Sequence, residues 1–379
     1  MQIRFVCILV VLSLLVSCFV INVYSADLNI SAECAVVMIA DTNEVVFEKN
    51  PHKKQGIAST TKIMSAIVAL ESNKLYSTTT IKSEDISVEG TSMGLKAGDN
   101  VSLLCLVKGM LISSGNDAAN VTATFIAGGK TQFAKLMNNK CHTIGMTSTN
   151  FVNPSGLTED GHYSTAYDMA LLGSYAVKNP VFCSICSLKS AKVSYGERGS
   201  ATLYNHNKFV DMYDGAFGIK TGFTKASGMC LVTAVKRNNV ILVCVTLNAP
   251  DDWQDHKKLY DYAFSRVKTF TFNADTPDII VVGSSKKQVS TAFSREIIIP
   301  YVDKKPSVST LFYIPPFVYG GVKSFDIVGN CSFIINNKKA FDIPVISTEN
   351  ADNLIILKSD KPIDKIKEFL RKGLSQRQT

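Results

Sequence analysis

A serine and a lysine stand three residues apart at Ser59 and Lys62, heading an apolar run of Ile63, Met64, Ile67, Val68 and Leu70. The run has the period of a helix buried on most sides. At i and i+3, a hydroxyl and an amine share one helix face. Ser59 is expected at the helix N-terminus, where free N–H groups and the positive end of the dipole favour a developing anion. That arrangement suits nucleophilic catalysis, in which a weak serine nucleophile needs a base beside it. A plain reading competes with it: serine is a good N-cap and a lysine one turn on is a solvated charge.

Two further stretches carry residues of the right kind. Ser114-Gly115-Asn116 falls between two segments with helical apolar spacing, 103–112 and 117–127. Lys220-Thr221-Gly222 falls on a segment that reads as a strand edge. Each stretch alone is weak, because a helix cap or a polar edge strand explains it as well. Taken in order, on a helix start, an interhelical loop and a strand, the three form a set.

The elements that must position them are legible in outline. Cys34–Ala40 and Val45–Phe47 read as a hairpin around the polar turn at 41–44. The stretch from Ile81 to Asp99 is polar and loop-like, and 131–145 and 165–178 read as helices, with Asp168 on a helix face. Asn153-Pro154-Ser155-Gly156 is a turn. From Gly218 the pattern changes to strands, with 228–234 and 240–246 nearly continuous apolar runs of a sheet covered on both faces. His256 to Val267 reads as a closing helix. Beyond Phe270 come short strand-like runs at 279–282, 296–300, 311–314, 325–327 and 331–335, with a turn at Asn336–Lys339, which predicts a small all-β domain.

The ends point out of the cytoplasm. Arg4, an apolar block from Phe5 to Ile21 and the small-residue end Val23-Tyr24-Ser25 make a secretory signal, with cleavage expected after Ser25. Lipidation at Cys18 and an uncleaved anchor helix are the alternatives. The formal charge of +8 is concentrated late, since Lys361–Thr379 alone carries +4. In that tail Ile363, Ile366, Phe369, Leu370 and Leu374 fall on one helical stripe, which fits a helix lying on an anionic membrane. Packing of the same stripe on the β domain is the plainer alternative. No basic-aromatic interleaving suggests a nucleic-acid partner. The five histidines make no metal-ligating pattern, and His162 reads as structural. Of the ten cysteines, Cys105, Cys230 and Cys244 read as core residues. Cys183 and Cys186 form a C-x-x-C without a second pair at zinc spacing, so a disulfide is the open question there.

The three stretches together resemble the motif trio of penicillin-binding proteins and class A β-lactamases. With Asn153–Leu157, His162–Ala166 and Gly218–Gly222, the chain resembles a serine-type D-Ala-D-Ala carboxypeptidase, a low-molecular-mass penicillin-binding protein of peptidase family S11. The resemblance implies an α/β (α+β) transpeptidase fold, a central antiparallel sheet with helices on both faces, followed by the β-rich domain. It implies a signal over 1–25, a catalytic domain over 26–268, a β-rich domain over 270–347 and a membrane-associating tail over 350–379. It implies peptidoglycan stem peptides as substrate, β-lactams as covalent inhibitors, and no cofactor or metal.

Roles follow from the residue types. Ser59 is the nucleophile, and Lys62 is its base if burial and the cation Lys220 keep it neutral. Ser114 relays a proton to the leaving amine. Asn116 holds the substrate amide and reaches toward Lys62. Lys220 and Thr221 receive the terminal carboxylate, and Gly222 lets substrate lie against the strand edge. The resemblance places the oxyanion hole at the backbone N–H groups of Ser59 and Phe223. Three rivals share this ground: a β-lactamase, an endopeptidase and a non-catalytic wall-binding or penicillin-sensing module. No Glu-x-x-Leu-Asn stretch lies between Asn116 and Lys220, which counts against the first.

Overall fold

A computed structural model describes residues 28–354. The signal segment and most of the proposed membrane tail lie outside the described residues. The chain divides into two compact units. The first runs to Met38, then takes in Phe47–Lys236 and Leu242–Ser265; the second takes in Ile39–Val46, Arg237–Ile241 and the chain from Arg266.

A five-stranded sheet is the frame of the first unit. Its strands are β1 (Cys34–Ile39), β2 (Val45–Lys49), β3 (Ala216–Thr224), β4 (Gly228–Arg237) and β5 (Val240–Leu247), in the order β2-β1-β5-β4-β3. β3 is therefore an edge strand, antiparallel to β4 with Lys220 opposite Val232 and Gly222 opposite Cys230. The longer helices are α1 (Lys62–Leu70), α2 (Leu103–Leu111), α3 (Asn116–Ala127), α4 (Lys130–Ile144), α5 (Ala166–Ala176), α6 (Pro180–Cys186) and α7 (Asp252–Arg266).

Neighbouring residues of a strand face opposite sides of its sheet, and this chain uses both. Gly173 of α5 sits against Val232 and Val243. On the other face, Thr233 and Thr246 bond the two ring nitrogens of His256 of α7 at 2.7 and 2.9 Å. The runs expected to be covered on both faces are covered by α5 and α7. Asp168, expected on a helix face, is instead buried, accepting from Ser148 N and Thr149 Oγ1 at 2.8 and 2.7 Å. Its first-turn position on α5 ties the preceding loop down.

The second unit carries an antiparallel four-stranded sheet of β6 (Thr291–Phe293), β7 (Val308–Tyr313), β8 (Ile327–Ile335) and β9 (Lys338–Ser347), ordered β6-β9-β8-β7. Phe333, Ile335, Ile343 and Val345 lead its own core. The strands β8 and β9 are longer than the short runs expected, and Phe325 lies before β8. Their turn is the pair Asn336-Asn337, both at positive φ (49° and 64°), a conformation asparagine tolerates and tight hairpins require. The cysteines among the described residues are all free thiols, Cys183 and Cys186 included.

Candidate active site

Ser59 lies not in the first turn of α1 but in a short 3-10 turn, Ala58–Thr61, that feeds it. Neither the 3-10 turn nor α1 is capped by a side chain. The Ser59 hydroxyl thus carries no capping duty and is left for another partner. That partner is Lys62, the first residue of α1, whose Nζ stands 2.8 Å from Ser59 Oγ. Lys62 is fully buried and its amine also donates to the Ser155 carbonyl at 2.6 Å.

The turn at 153–156 exists to make that carbonyl available. Asn153 Oδ1 accepts from Ser155 N and Gly156 N at 3.2 and 2.8 Å, while its Nδ2 donates to Leu157 O and Glu159. Gly156 has φ +84°, and a Cβ there would lie 1.9 Å from Ala58 O, inside the nucleophile turn. His162 closes the arrangement from behind. Val152 N–H donates to its Nδ1 at 3.2 Å, so the proton resides on Nε2 and is donated to Thr61 Oγ1 at 2.8 Å. Burial drives its pKa down to about 4, so the ring is neutral.

Burial dominates the electrostatics of both lysines. It pushes Lys62 well below the ordinary lysine range; Lys220 pushes the same way and Asp117 opposes. Lys220 is 1 % exposed, and its pKa falls to about 7 because of that burial. Its Nζ donates to Thr221 O at 2.9 Å. Two buried cations in one site are mutually unfavourable, and the cheapest resolution is for Lys62 to be neutral. A neutral amine has a lone pair, which Ser59 O–H faces, and two hydrogens, one of which Ser155 O takes.

The middle motif forms the opposite wall. Ser114 has φ +60°, a conformation few non-glycine residues adopt. Thr91 Oγ1 pins it by donating to Ser114 O at 2.7 Å. Asn116 opens α3; its Nδ2 donates to Glu89 O at 2.6 Å, while its buried Oδ1 has no partner. The expected reach of Asn116 to Lys62 is not made, because Ser155 O occupies that role. An unpaired buried carbonyl oxygen on a residue that lines a cleft suits an incoming N–H donor. Asp117, next along, accepts from Met93 N and Leu95 N at 2.9 and 3.1 Å and from the Ser92 hydroxyl, fixing the loop beside the wall.

Ser59, Ser114, Asn116, Thr221, Gly222 and Phe223 line one cleft of about 410 Å³. Lys62 and Lys220 sit behind its wall rather than on it. Gly222 lies so near the nucleophile turn that a Cβ would stand 3.0 Å from Ile57 O, Ser59 N and Thr60 N. Phe223, 63 % exposed, forms the rim beyond it. Sequence reasoning passed over His206, Asp252 and Trp253, which line the same cleft. A signal existed for Trp253, the chain's single tryptophan, which stacks on Phe209 with ring centroids 6.3 Å apart.

Comparison with known proteins identifies the family. A family model for peptidase S11, described as D-alanyl-D-alanine carboxypeptidase, matches residues 21–251. The D-alanyl-D-alanine carboxypeptidase DacF of Bacillus subtilis (strain 168) is 32% identical over 253 residues, which are 65% of this chain and 65% of that protein. DacC of Escherichia coli (strain K12) is 30% identical over 349 residues, 86% of this chain and 85% of that protein. The crystal structure of a D-alanyl-D-alanine carboxypeptidase from Mycobacterium tuberculosis H37Rv superposes with a TM-score of 0.60 at 32% identity, covering 62% of this chain and 92% of that one. The chain belongs to the peptidase S11 family of D-alanyl-D-alanine carboxypeptidases.

Proposed function

We propose that the protein is a serine-type D-Ala-D-Ala carboxypeptidase that removes the terminal D-alanine of peptidoglycan stem pentapeptides through an acyl-enzyme on Ser59. The observation that carries the reading is the 2.8 Å contact between Ser59 Oγ and the fully buried amine of Lys62. Neutral Lys62 takes the hydroxyl proton as Oγ attacks the carbonyl of the penultimate D-alanine. The negative charge that develops on that oxygen meets the backbone N–H groups of Ser59 and Phe223. Losing one such donor typically costs ~3 kcal/mol of transition-state stabilisation. Ser114 passes the proton from Lys62 to the departing amine, and the C–N bond breaks to release D-alanine. Asn116 Oδ1 accepts the substrate amide N–H, and Lys220 and Thr221 hold the free carboxylate. Water then cleaves the ester by the reverse proton route.

Penicillin acylates the same hydroxyl. Among the described residues the only carboxyl group on the cleft wall is that of Asp252, and no described glutamate lines it to activate water. The acyl-enzyme formed from penicillin is therefore long-lived, which separates this protein from a β-lactamase. We further propose that the protein is exported and works outside the cytoplasmic membrane, with the basic tail from Lys361 resting on an anionic membrane surface. Mass mapping after incubation with labelled penicillin tests the core of the reading: an adduct on Ser59 is expected, and folded protein without one overturns it. Release of D-alanine from a pentapeptide separates a carboxypeptidase from an endopeptidase. Rapid turnover of a chromogenic cephalosporin contradicts the slow deacylation.

A further inference from the structure

A second cavity of the first unit, of about 380 Å³, shares no lining residue with the catalytic cleft. One wall is α2, where Leu104, Cys105 and Lys108 share a face at i, i+1 and i+4. The strand Ser190–Ser194 contributes Lys192, Val193 and Ser194. The short hairpin of Thr78–Thr80 with Asn100–Ser102 supplies Thr78, Asn100 and Ser102. Val193 is buried between the exposed Lys192 and Ser194, as the alternation of a strand requires. The Cys105 thiol donates to Ser194 O at 3.4 Å and ties the strand to the helix. Burial pushes that thiol up to about 11, so it adds no negative charge.

The polar side chains here have hydrogens to spare. Ser102 Oγ accepts from Cys105 N at 3.2 Å, and Ser194 Oγ accepts from Gly196 N at 3.3 Å. Each hydroxyl therefore keeps its own hydrogen free to donate. The ammonium groups of Lys108 and Lys192 have no partner among the described residues. Lys189, one residue before the strand, is by contrast paired with Asp211 at 2.6 Å. Asp99, next to Asn100, is held by Arg198 at 2.6 and 2.5 Å. Among the described residues no carboxylate lines the cavity. Two uncompensated cations among free hydroxyls suit an oxyanion, which brings the acceptors that the cavity lacks.

The elements that wall the cavity also lead to the catalytic cleft. α2 is nine residues long, roughly 14 Å, and Ser114 follows three residues beyond its end. The strand paired with Ser190–Ser194 ends at Tyr204, two residues before His206 of the cleft. His206 N donates to Ile112 O at 3.1 Å, so the two walls are joined there. We propose that the cavity is a second binding site for the polymeric substrate, an anion subsite that holds the free carboxylate of a neighbouring stem peptide. The inference rests on the carboxypeptidase reading for the identity of the polymer. It goes beyond that reading in giving the protein a preference for polymer over isolated peptide. A five-residue stem spans up to ~17 Å when extended, enough to cross the length of α2. One stem in the cleft raises the effective concentration of its neighbour at the cavity, so a weak second contact shows in the affinity for polymer.

The test uses the full chain and two substrates, a single stem pentapeptide and a soluble, uncrosslinked glycan oligomer that carries several such stems. Lys108→Gln with Lys192→Gln removes both charges. KM for the oligomer, counted per stem, should then rise about fivefold, the size of two exposed charge pairs. For the single pentapeptide, kcat and KM should stay within about 1.5-fold. Lys108→Arg with Lys192→Arg, which keeps the charges, should restore the oligomer KM. An oligomer KM that does not change, or one that moves equally with the pentapeptide KM, overturns the proposal. Binding to the full chain with Ser59→Ala, which leaves the stems uncleaved, identifies the anion. The Gln substitutions should weaken binding of the oligomer with free stem carboxylates and leave that of its C-terminally amidated form unchanged. Equal weakening of both forms overturns the proposal, as does a lysine-dependent affinity for poly(glycerol phosphate) above that for the oligomer. Failure of the carboxypeptidase reading looks different: the unaltered enzyme releases no D-alanine from either substrate, whatever the binding measurements give.

Discussion

Gly222 presses on Ser59 through the main chain, so that a single added carbon at 222 would stand 3.0 Å from the Ser59 nitrogen. The same approach brings that carbon within 3.0 Å of Thr60 N and Ile57 O. The glycine of Lys-Thr-Gly was expected to make room for substrate. In the fold it also makes room for the nucleophile turn against the edge strand. Gly222→Ala should therefore lower the penicillin acylation rate about 100-fold by displacing one oxyanion donor. Its melting temperature should fall as well, because Gly222 is buried and the atoms it would crowd are main chain. Stopped-flow acylation beside thermal unfolding checks both halves.

Lys62→Arg keeps a cation of similar length but cannot give up its proton. Acylation of this variant should fall at least about 1000-fold, in line with loss of a positioned general base. Normal acylation by the variant would remove Lys62 from the role of base.

Lys220 gives opposite predictions for function and stability. Its pKa of about 7 means that the charge offered to a carboxylate fades as pH rises through 7. KM for a carboxylate-ended peptide should climb above that point. For stability, the unfolded chain holds a proton on this lysine up to about 10.4, whereas the folded chain releases it near 7. Between those values the unfolded state binds more protons, so unfolding free energy rises with pH across the window. Below 7 the lysine exacts its full cost. Lys220→Met should then raise the melting temperature at pH 7 by a few degrees while weakening peptide binding.

Asp117 is the one group that raises the Lys62 pKa. Asp117→Asn should shift the acid limb of the acylation rate to lower pH. The same change weakens the bonds to Met93 N and Leu95 N and should cost about 2 kcal/mol of stability. A pH–rate profile and a urea titration separate the two effects.

His162 and His256 are held neutral by burial, with pKa values of about 4 and about 3. Both lie below the unfolded value of about 6.5. As pH falls from 6.5, the unfolded chain takes up protons that the folded chain refuses, so stability is lost on the acid side. The slope should reach about 1.4 kcal/mol per pH unit for each histidine. Denaturant unfolding between pH 7 and 4.5 reads it, and replacing His256 should remove one share.

What was legible in the chain was local. Apolar period and turn chemistry marked α2, α3 and β5 within one residue and β4 within three. The order of the three motifs picked out Ser59, Ser114, Asn116, Thr221 and Gly222, which do line one cleft. The hairpin of Ser190–Ser194 with Ser200–Tyr204 escaped notice because its strands are mostly polar and exposed. Strand β9 was hidden by Pro344 and by Lys338, Lys339 and Asp342, which break an apolar run; only alternate positions such as Ile343 and Val345 need be buried. The 3-10 turn at Ser59 has no sequence signature distinct from a first helical turn. His206, Asp252 and Trp253 reach the cleft through long-range packing, which spacing in one dimension does not encode.

The second partner of Lys62 is the carbonyl of Ser155, and every amino acid has a carbonyl. Position 155 can therefore drift among small side chains that fit its buried space while the base stays in register. Positions 153 and 156 cannot, because the amide of Asn153 and the bare, left-handed Gly156 shape the turn. In a library of variants selected for survival, tolerance at 155 flanked by intolerance at 153 and 156 would be the genetic imprint of a catalytic contact made by the polypeptide backbone.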